Sequence, residues 1–264
     1  MNNTLEERGF KELPVGEAVK NTTVAQIPAS KLYPGEFVSL QPVDPEKDVV
    51  ELYKNSHGSA TNTRIWTYMP YGPFDAEADM RDWMKGCQSS SDPLFFTVFS
   101  NELNQRVGMV SFLNIAASMR TLELGNIWYS PLVHNTRVNT EAIYLMLSEA
   151  FDNLCYRRVE WKCDSLNARS RAAAVRLGFS FEGIFKKHFI IKGRNRDTSW
   201  YAMLDCNWPA IKINIQKWLQ ADKSCLSLAK LNEPLLRATD KRDAKFLNTA
   251  GGYKEVSIEK RSLK

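Results

Sequence analysis

Apolar and polar residues alternate in "EFVSLQPV" (36–43), where Phe37, Ser39 and Gln41 interleave with Val38, Leu40 and Pro42, predicting a strand. "DPEKDVVELYKNSHG" (44–58) predicts a helix, with acids and a proline in its first turn and Gly58 past its end. "TRIWTYMPYGPF" (63–74) keeps neither period and reads as an aromatic loop with two prolines. "DAEADMRDWMKGC" (75–87) predicts a second helix capped by Asp75. Strand patterns return in "LFFTVFS" (94–100) and "QRVGMVSFLNI" (105–115), joined by the polar turn "NELNQ" as a hairpin, and again in "TLELGNIWYS" (121–130).

A helix over Asn139–Leu154 sets Ile143, Met146, Leu147, Ala150, Phe151 and Leu154 on one face. "RRVEWKCD" (157–164) is a strand, and "NARSRAAAVRLGF" (167–179) is an alanine-rich helix stopped by Gly178. "FEGIFKKHFIIKG" and "RDTSWYAMLDC" predict a closing strand pair joined through Gly193, and "WPAIKINIQKWLQ" (208–220) predicts a last helix. This order predicts an α/β (α+β) fold with one mixed sheet flanked by helices. It implies a lead-in over 1–36, a folded domain over 37–221 and a weakly patterned basic tail over 222–264.

Composition narrows the classes. A chain of 264 residues with 44% hydrophobic and 11% aromatic residues can bury one substantial core. No apolar run approaches the roughly 20 residues of a membrane span. The net charge of +5 sits mostly in the tail, where 222–264 carries ten Lys/Arg against six Asp/Glu. A body near neutrality points away from nucleic acid. The five cysteines lack Cys-x-x-Cys spacing, and three histidines form no cluster, so neither disulfides nor a metal site is expected. "MNNTLEERGFKELPVGE" does not have the form of a signal peptide, and Ser-Leu-Lys at the end permutes the peroxisomal signal without matching it. The expected location is cytoplasmic, with the nucleus open.

The turn His134-Asn135-Thr136-Arg137-Val138-Asn139 stands between a strand and a helix and lacks glycine. Unpaired amides and the positive end of the helix dipole suit such a turn to an anion. Glycine is dispensable if the chain enters the helix at negative φ. Arg137 is expected to add a charge-assisted contact, and Thr136 and Thr140 hydroxyl donors. Gly125, isolated in a strand, has the look of a bulge or a close backbone approach.

The segments "LELGNIWYSP", "NTEAIYLMLSEAFDNLCYRRVEWKCDSLNARSRAAAVRLGFSFEG" and "KGRNRDTSWYAML" resemble the GNAT superfamily of acetyl-CoA-dependent N-acetyltransferases, over roughly Glu36 to Trp208. The resemblance is nearest to the branch of ribosomal-protein alanine acetyltransferases and their small fungal and bacterial relatives. It implies a mostly antiparallel sheet with a splayed strand pair that forms the acetyl-CoA cleft. The family's pyrophosphate loop, Gln/Arg-x-x-Gly-x-Gly/Ala, falls on His134–Asn139. Here His134 replaces Gln or Arg, Arg137 replaces the first glycine and Asn139 the small residue.

On this resemblance, His134, Asn135, Thr136, Arg137, Val138, Asn139 and Thr140 are expected to hold the pyrophosphate. Ile127, Trp128 and Tyr129 would contact the pantetheine arm through their backbones, with Asn167 and Ser170 beside them. Glu123 is the expected base, its pKa raised by an apolar cleft, and Ser170 the acid for the departing sulfur. Glu123 reads equally as a solvent-face carboxylate, and Asn167 with Ser170 reads also as a helix cap. His188 could serve as base but fits a packed strand residue. Tyr68, Tyr71 and Phe74 are expected to wall an acceptor site. The implied reaction is direct transfer to a small-molecule amine or a peptide N-terminus; a homodimer is compatible with it. The competing reading is a non-catalytic acyl-CoA-binding or protein-interaction module on the same fold.

Overall fold

The computed structural model describes residues 16–221 and 226–236. The readings made for 1–15, for Cys225 and for the basic tail beyond 236 lie outside them. Strands β1 (Tyr33–Pro34), β2 (Val38–Pro42), β3 (Leu94–Ser100), β4 (Gln105–Ala116), β5 (Thr121–Tyr129), β6 (Arg158–Asp164), β7 (Ser180–Ile191) and β8 (Arg194–Leu204) form one sheet. Its order is β1-β2-β3-β4-β5-β6-β8-β7. Every neighbouring pair is antiparallel except β5 and β6.

Helices α4 (Val138–Ser148), α5 (Ala168–Leu177) and α6 (Trp208–Gln220) cover one face, meeting Leu122, Leu124, Val159 and Trp161 in the main core. Ile143 and Leu147 of α4 are fully buried there, each contributing about 1.5–3 kcal/mol. On the other face α1 (Pro45–Ser56) and α3 (Glu77–Ser89) enclose a second core with Phe95, Met109 and Trp128. Between these helices the aromatic loop is partly ordered, as the short α2 (Ala60–Thr63) and a 3-10 turn (Arg64–Tyr68) whose Trp66 is fully buried.

Several boundaries differ from expectation. Ala76, not Asp75, occupies the cap position of α3, and its amide donates to Asp79 Oδ2 at 3.0 Å. The long helix after β5 is α-helical only to Ser148 and ends in a π turn, Glu149–Asn153. There buried Glu149 takes Lys31 Nζ at 2.7 Å and Asn153 Nδ2 at 2.6 Å. The lead-in adds β1 and is tied to α4, because the Glu36, Phe37 and Val38 amides donate to the Glu141 carboxylate at 2.6–2.9 Å. The tail is also patterned where it was read as weak. Residues 228–236 are helical, with Leu228 and Asn232 buried one turn apart. Gly178 ends α5 in the left-handed region, at φ 98°.

Candidate active site

The parallel pairing of β5 and β6 stops at Leu124 and Trp161. Beyond that point the two strands continue without partnering each other, to Tyr129 and Asp164. β5 leads into α4 and β6 into α5, so both helix N-termini lie at the end of the sheet where this gap opens. A bulge enlarges it: β4 pairs Ser111 with Gly125 and Met109 with Trp128, giving β5 one extra residue. The bulge expected at Gly125 is thus present, but the left-handed residue is Asn126, at φ 52°. Asparagine tolerates that region better than other non-glycine residues. Gly108 lies opposite, where a Cβ would come within 2.2 Å of the Trp128 carbonyl oxygen.

The turn from 134 to 139 manages without glycine in the way its sequence allows. Arg137 enters α4 at φ −73° and ψ −18°, and the one left-handed position falls on Asn135 at φ 59°. Thr136 Oγ1 accepts from the Val138 amide at 3.3 Å, and the Asn139 and Thr140 amides carry no side-chain cap and stay available to an anion. The side chains behave differently from expectation. Arg137 turns its guanidinium to the Ala221 carbonyl, just past α6, and over the Phe37 ring at 4.9 Å. Its charge is therefore drawn toward the β2 side, with β3, β4 and β5 between Phe37 and the gap. Thr136 Oγ1 donates to the Val133 carbonyl at 2.8 Å, and Thr140 is fully buried with Arg176 Nη1 bonded to its oxygen at 2.8 Å. Neither hydroxyl is the free donor predicted. His134 is exposed; partial burial of its ring and then nearby Arg169 hold its pKa low, so it is neutral at physiological pH.

Across the gap, Asn167 caps α5 by accepting from the Ser170 amide at 3.1 Å. Ser170 Oγ accepts from Trp161 Nε1 at 3.0 Å, which fixes the hydroxyl beside the last paired residue of β6. Cys163 lies close by; burial pushes its thiol pKa up, with Ser170 the first influence opposing. A thiol kept neutral is a poor nucleophile.

Glu123 lies on the face away from α4 and α5, since its neighbours Leu122 and Leu124 point into the main core. The apolar surroundings expected for it are absent. Lys162 Nζ is 2.8 Å away and Asn114 Nδ2 is 2.7 Å away, both on Oε2. Oε1 faces Gly125, 3.7 Å from the position of a Cβ there. Around it, Tyr71 Oη donates to Asn126 Oδ1 at 3.2 Å, and Asn126 Nδ2 donates to Ser111 Oγ at 2.9 Å. Tyr68 Oη reaches the Leu166 carbonyl at 3.2 Å, and Lys192 Nζ reaches the Trp66 carbonyl at 2.8 Å. The aromatic loop is therefore strapped to the β6–α5 turn and to the β7–β8 hairpin. Phe74 packs with Trp66, Trp83 and His57 as part of the second core, and the Tyr71 ring packs on Trp83 and Trp66 in the same core while its hydroxyl reaches Asn126. His188 is packed among Phe185, Phe189 and Trp200.

Lys162, Asn114, Asn126 and Arg176 were missed in the sequence. Only Asn126 had a local signal there, following glycine inside a strand; the others acquire a role through strand pairing and helix packing.

The arrangement fits an extended pantetheine arm with a pyrophosphate at its end. The facing edges of β5 and β6 offer unpaired backbone, and the α4 terminus offers phosphate the amides that Thr136 does not take. Among the described residues no cluster of His, Cys, Asp or Glu could hold a metal, and no helix is long and apolar enough to cross a membrane.

Comparison with known proteins agrees with this geometry. Residues 38–180 match the model of the acetyltransferase (GNAT) domain. A GCN5-related N-acetyltransferase from Brucella melitensis is 34% identical, with a TM-score of 0.78, over 81% of this chain and 100% of that one. A Bacillus subtilis (strain 168) protein named as a ribosomal N-acetyltransferase, YdaF, is 29% identical over 105 residues, 40% of this chain. The chain spans 57% of that curated relative's length. The microcin C7 self-immunity acetyltransferase MccE, solved with acetyl-CoA and AMP, shares the fold at a TM-score of 0.58 and 22% identity, over 67% of this chain and 98% of its own.

Proposed function

The chain belongs to the GNAT acetyltransferase family, and from that membership we propose that it is an acetyl-CoA-dependent N-acetyltransferase acting by direct transfer to a primary amine. The coenzyme, when bound, supplies an acetyl thioester. The observation that carries the reading is the β5–β6 gap, with helix N-termini on one side of it and Glu123 on the other.

An alkylammonium with a pKa near 10 is almost wholly charged at pH 7, so a proton must leave before the amine can attack. Glu123 Oε1 is the acceptor we assign, directly or through a water, because Lys162 and Asn114 occupy Oε2. The backbone of Ile127, Trp128 and Tyr129, unpaired toward β6, orients the arm and offers amides to the developing oxyanion. Ser170, anchored by Trp161, donates a hydrogen bond to the departing thiolate, which takes its proton from solvent while the proton held by Glu123 returns to solvent. No cysteine is required as an acyl carrier, and Cys163 is held neutral.

The acceptor enters on the Glu123 face, beneath Tyr68 and Tyr71. The straps Tyr68–Leu166 and Lys192–Trp66 narrow that entrance and favour a small amine. The name of the Bacillus relative favours a second reading, a protein N-terminus, which needs the Tyr68 strap to open. The test is calorimetric titration with acetyl-CoA, followed by a screen of small amines and of peptides with free N-termini. Micromolar binding and acetylated amine support the proposal. Absence of binding at millimolar coenzyme refutes it, and binding without turnover of any amine favours a non-catalytic coenzyme-binding module.

A further inference from the structure

We propose that α6 with Ala221 and the helical residues 228–236, all beyond the family-matched residues 38–180, act as a clasp that sets the N-terminus of α4 for the coenzyme, with Arg137 and Arg176 as its positioning residues. The proposal rests on the acetyltransferase reading above and adds to it a role for the C-terminal segment.

Two arginines tie the start of α4 to other elements, Arg137 from its own cap position and Arg176 from α5. Arg137, at the cap position, donates to the carbonyl of Ala221, the residue that ends α6, and lies over Phe37. Arg176, near the end of α5, donates through Nη1 to Thr140 Oγ1 at 2.8 Å and through Nη2 to Asn139 Oδ1 at 3.0 Å. Its guanidinium also sits 5.9 Å from the centre of the Trp218 ring on α6. Burial is the main influence on this group, and it lowers the pKa without bringing an arginine near neutrality. The Arg176 carbonyl in turn accepts from Asn232 Nδ2 at 3.0 Å. Asn214 of α6 holds the same helical segment, donating to Asn232 Oδ1 and to the Leu231 carbonyl, both at 3.0 Å.

The physical need for such a clasp follows from the turn. Backbone amides bind an anion well only when they already converge, because ordering them on binding costs conformational entropy at every residue. The turn keeps one left-handed residue, Asn135, and its own side chains stiffen it only through Thr136, which accepts from the Val138 amide at 3.3 Å and donates to the Val133 carbonyl at 2.8 Å. The Arg137 bond to Ala221 and the Arg176 bonds to Asn139 and Thr140 add stiffness by tying the turn to elements outside it. Arg137 thus stands where relatives carry glycine and serves as a tether rather than as a ligand.

The test uses the full chain and the variants Arg137→Ala, Arg137→Lys and Asn232→Ala, with two readouts. Hydrogen exchange of the 134–140 amides without coenzyme should quicken in Arg137→Ala and Asn232→Ala while the β3–β4 amides keep their protection. The Kd for acetyl-CoA should rise about tenfold, the size of one charge-assisted hydrogen bond. The KM for coenzyme should follow it, with kcat and the amine KM held, and Arg137→Lys should recover part of the loss. Unchanged exchange and unchanged affinity in both variants overturn the clasp while leaving the acetyltransferase reading intact. A wild type that fails to bind acetyl-CoA overturns that reading instead, and the exchange data then decide on the clasp alone.

Discussion

Lys162 Nζ lies 2.8 Å from Glu123 Oε2, joining β5 to β6 diagonally across the last rung of their parallel ladder, Leu124 with Trp161. The same ammonium is 2.9 Å from Glu160 and 4.0 Å from the Trp200 ring centre. With Lys162 and Glu123 side chains only 13% and 8% exposed, the pair spans the mouth of the gap and is shielded from solvent. It locks the Glu123 carboxylate in place and directs one oxygen toward Gly125.

Glu123→Gln removes the proton acceptor while retaining the shape. The expected outcome is a kcat reduced on the order of 10²-fold at pH 7, with acetyl-CoA affinity unchanged. Steady-state kinetics beside calorimetry would check it; a kcat within a factor of two of wild type would transfer the role to another group.

Ser170→Ala deletes the acceptor for Trp161 Nε1, leaving a buried donor unsatisfied. We expect a loss of about 1–3 kcal/mol in stability by urea denaturation. Turnover should fall further than that instability accounts for. Equal activity in the folded variant would reduce Ser170 to a structural residue.

Gly108→Ala sets a methyl group against the Trp128 carbonyl, a backbone atom that can yield only by moving the bulge. Overpacking of this kind costs about 1–3 kcal/mol. The expected outcome is a lower Tm together with weakened acetyl-CoA binding, whereas Gly86→Ala, inside α3 with open space around it, should leave binding untouched and raise Tm slightly.

His57 reports on the aromatic loop. Its Nε2 accepts from the Phe74 amide at 3.0 Å, and Nδ1 lies 2.9 Å from Ser56 Oγ, so the ring is neutral in the fold. It stacks on Tyr53 at 4.2 Å, and burial holds its pKa below the ordinary 6.5. A histidine with a depressed folded pKa contributes its stability above the unfolded value. That contribution is lost as pH falls below 6.5 and through the folded pKa, because the unfolded chain takes up the proton first. Denaturation at pH 7.5 and 5 should show this loss in the wild type and a smaller one in His57→Gln. Identical pH dependence in the two proteins would exclude His57 as the source.

Much of this molecule is determined by local pattern alone. The alternations in 94–100, 105–115 and 121–130, the helical spacing of Ile143, Met146 and Leu147, and the stop at Gly178 all reappear as elements, because period and turn chemistry are local properties. The absence of glycine from the 134–139 turn was legible too, since Arg137 enters α4 at an ordinary negative φ. Tertiary structure alone decided where side chains find partners. Nothing near Arg137 in the chain announces Ala221, and nothing near Glu123 announces Lys162; each pair exists because packing or parallel pairing brings distant segments together. The helix at 228–236 escaped detection for the same reason. Its apolar residues Leu228 and Leu235 pack on the main core and Asn232 bonds Asn214 and Arg176 on other helices, so the short segment gains its stability from partners far away in the chain.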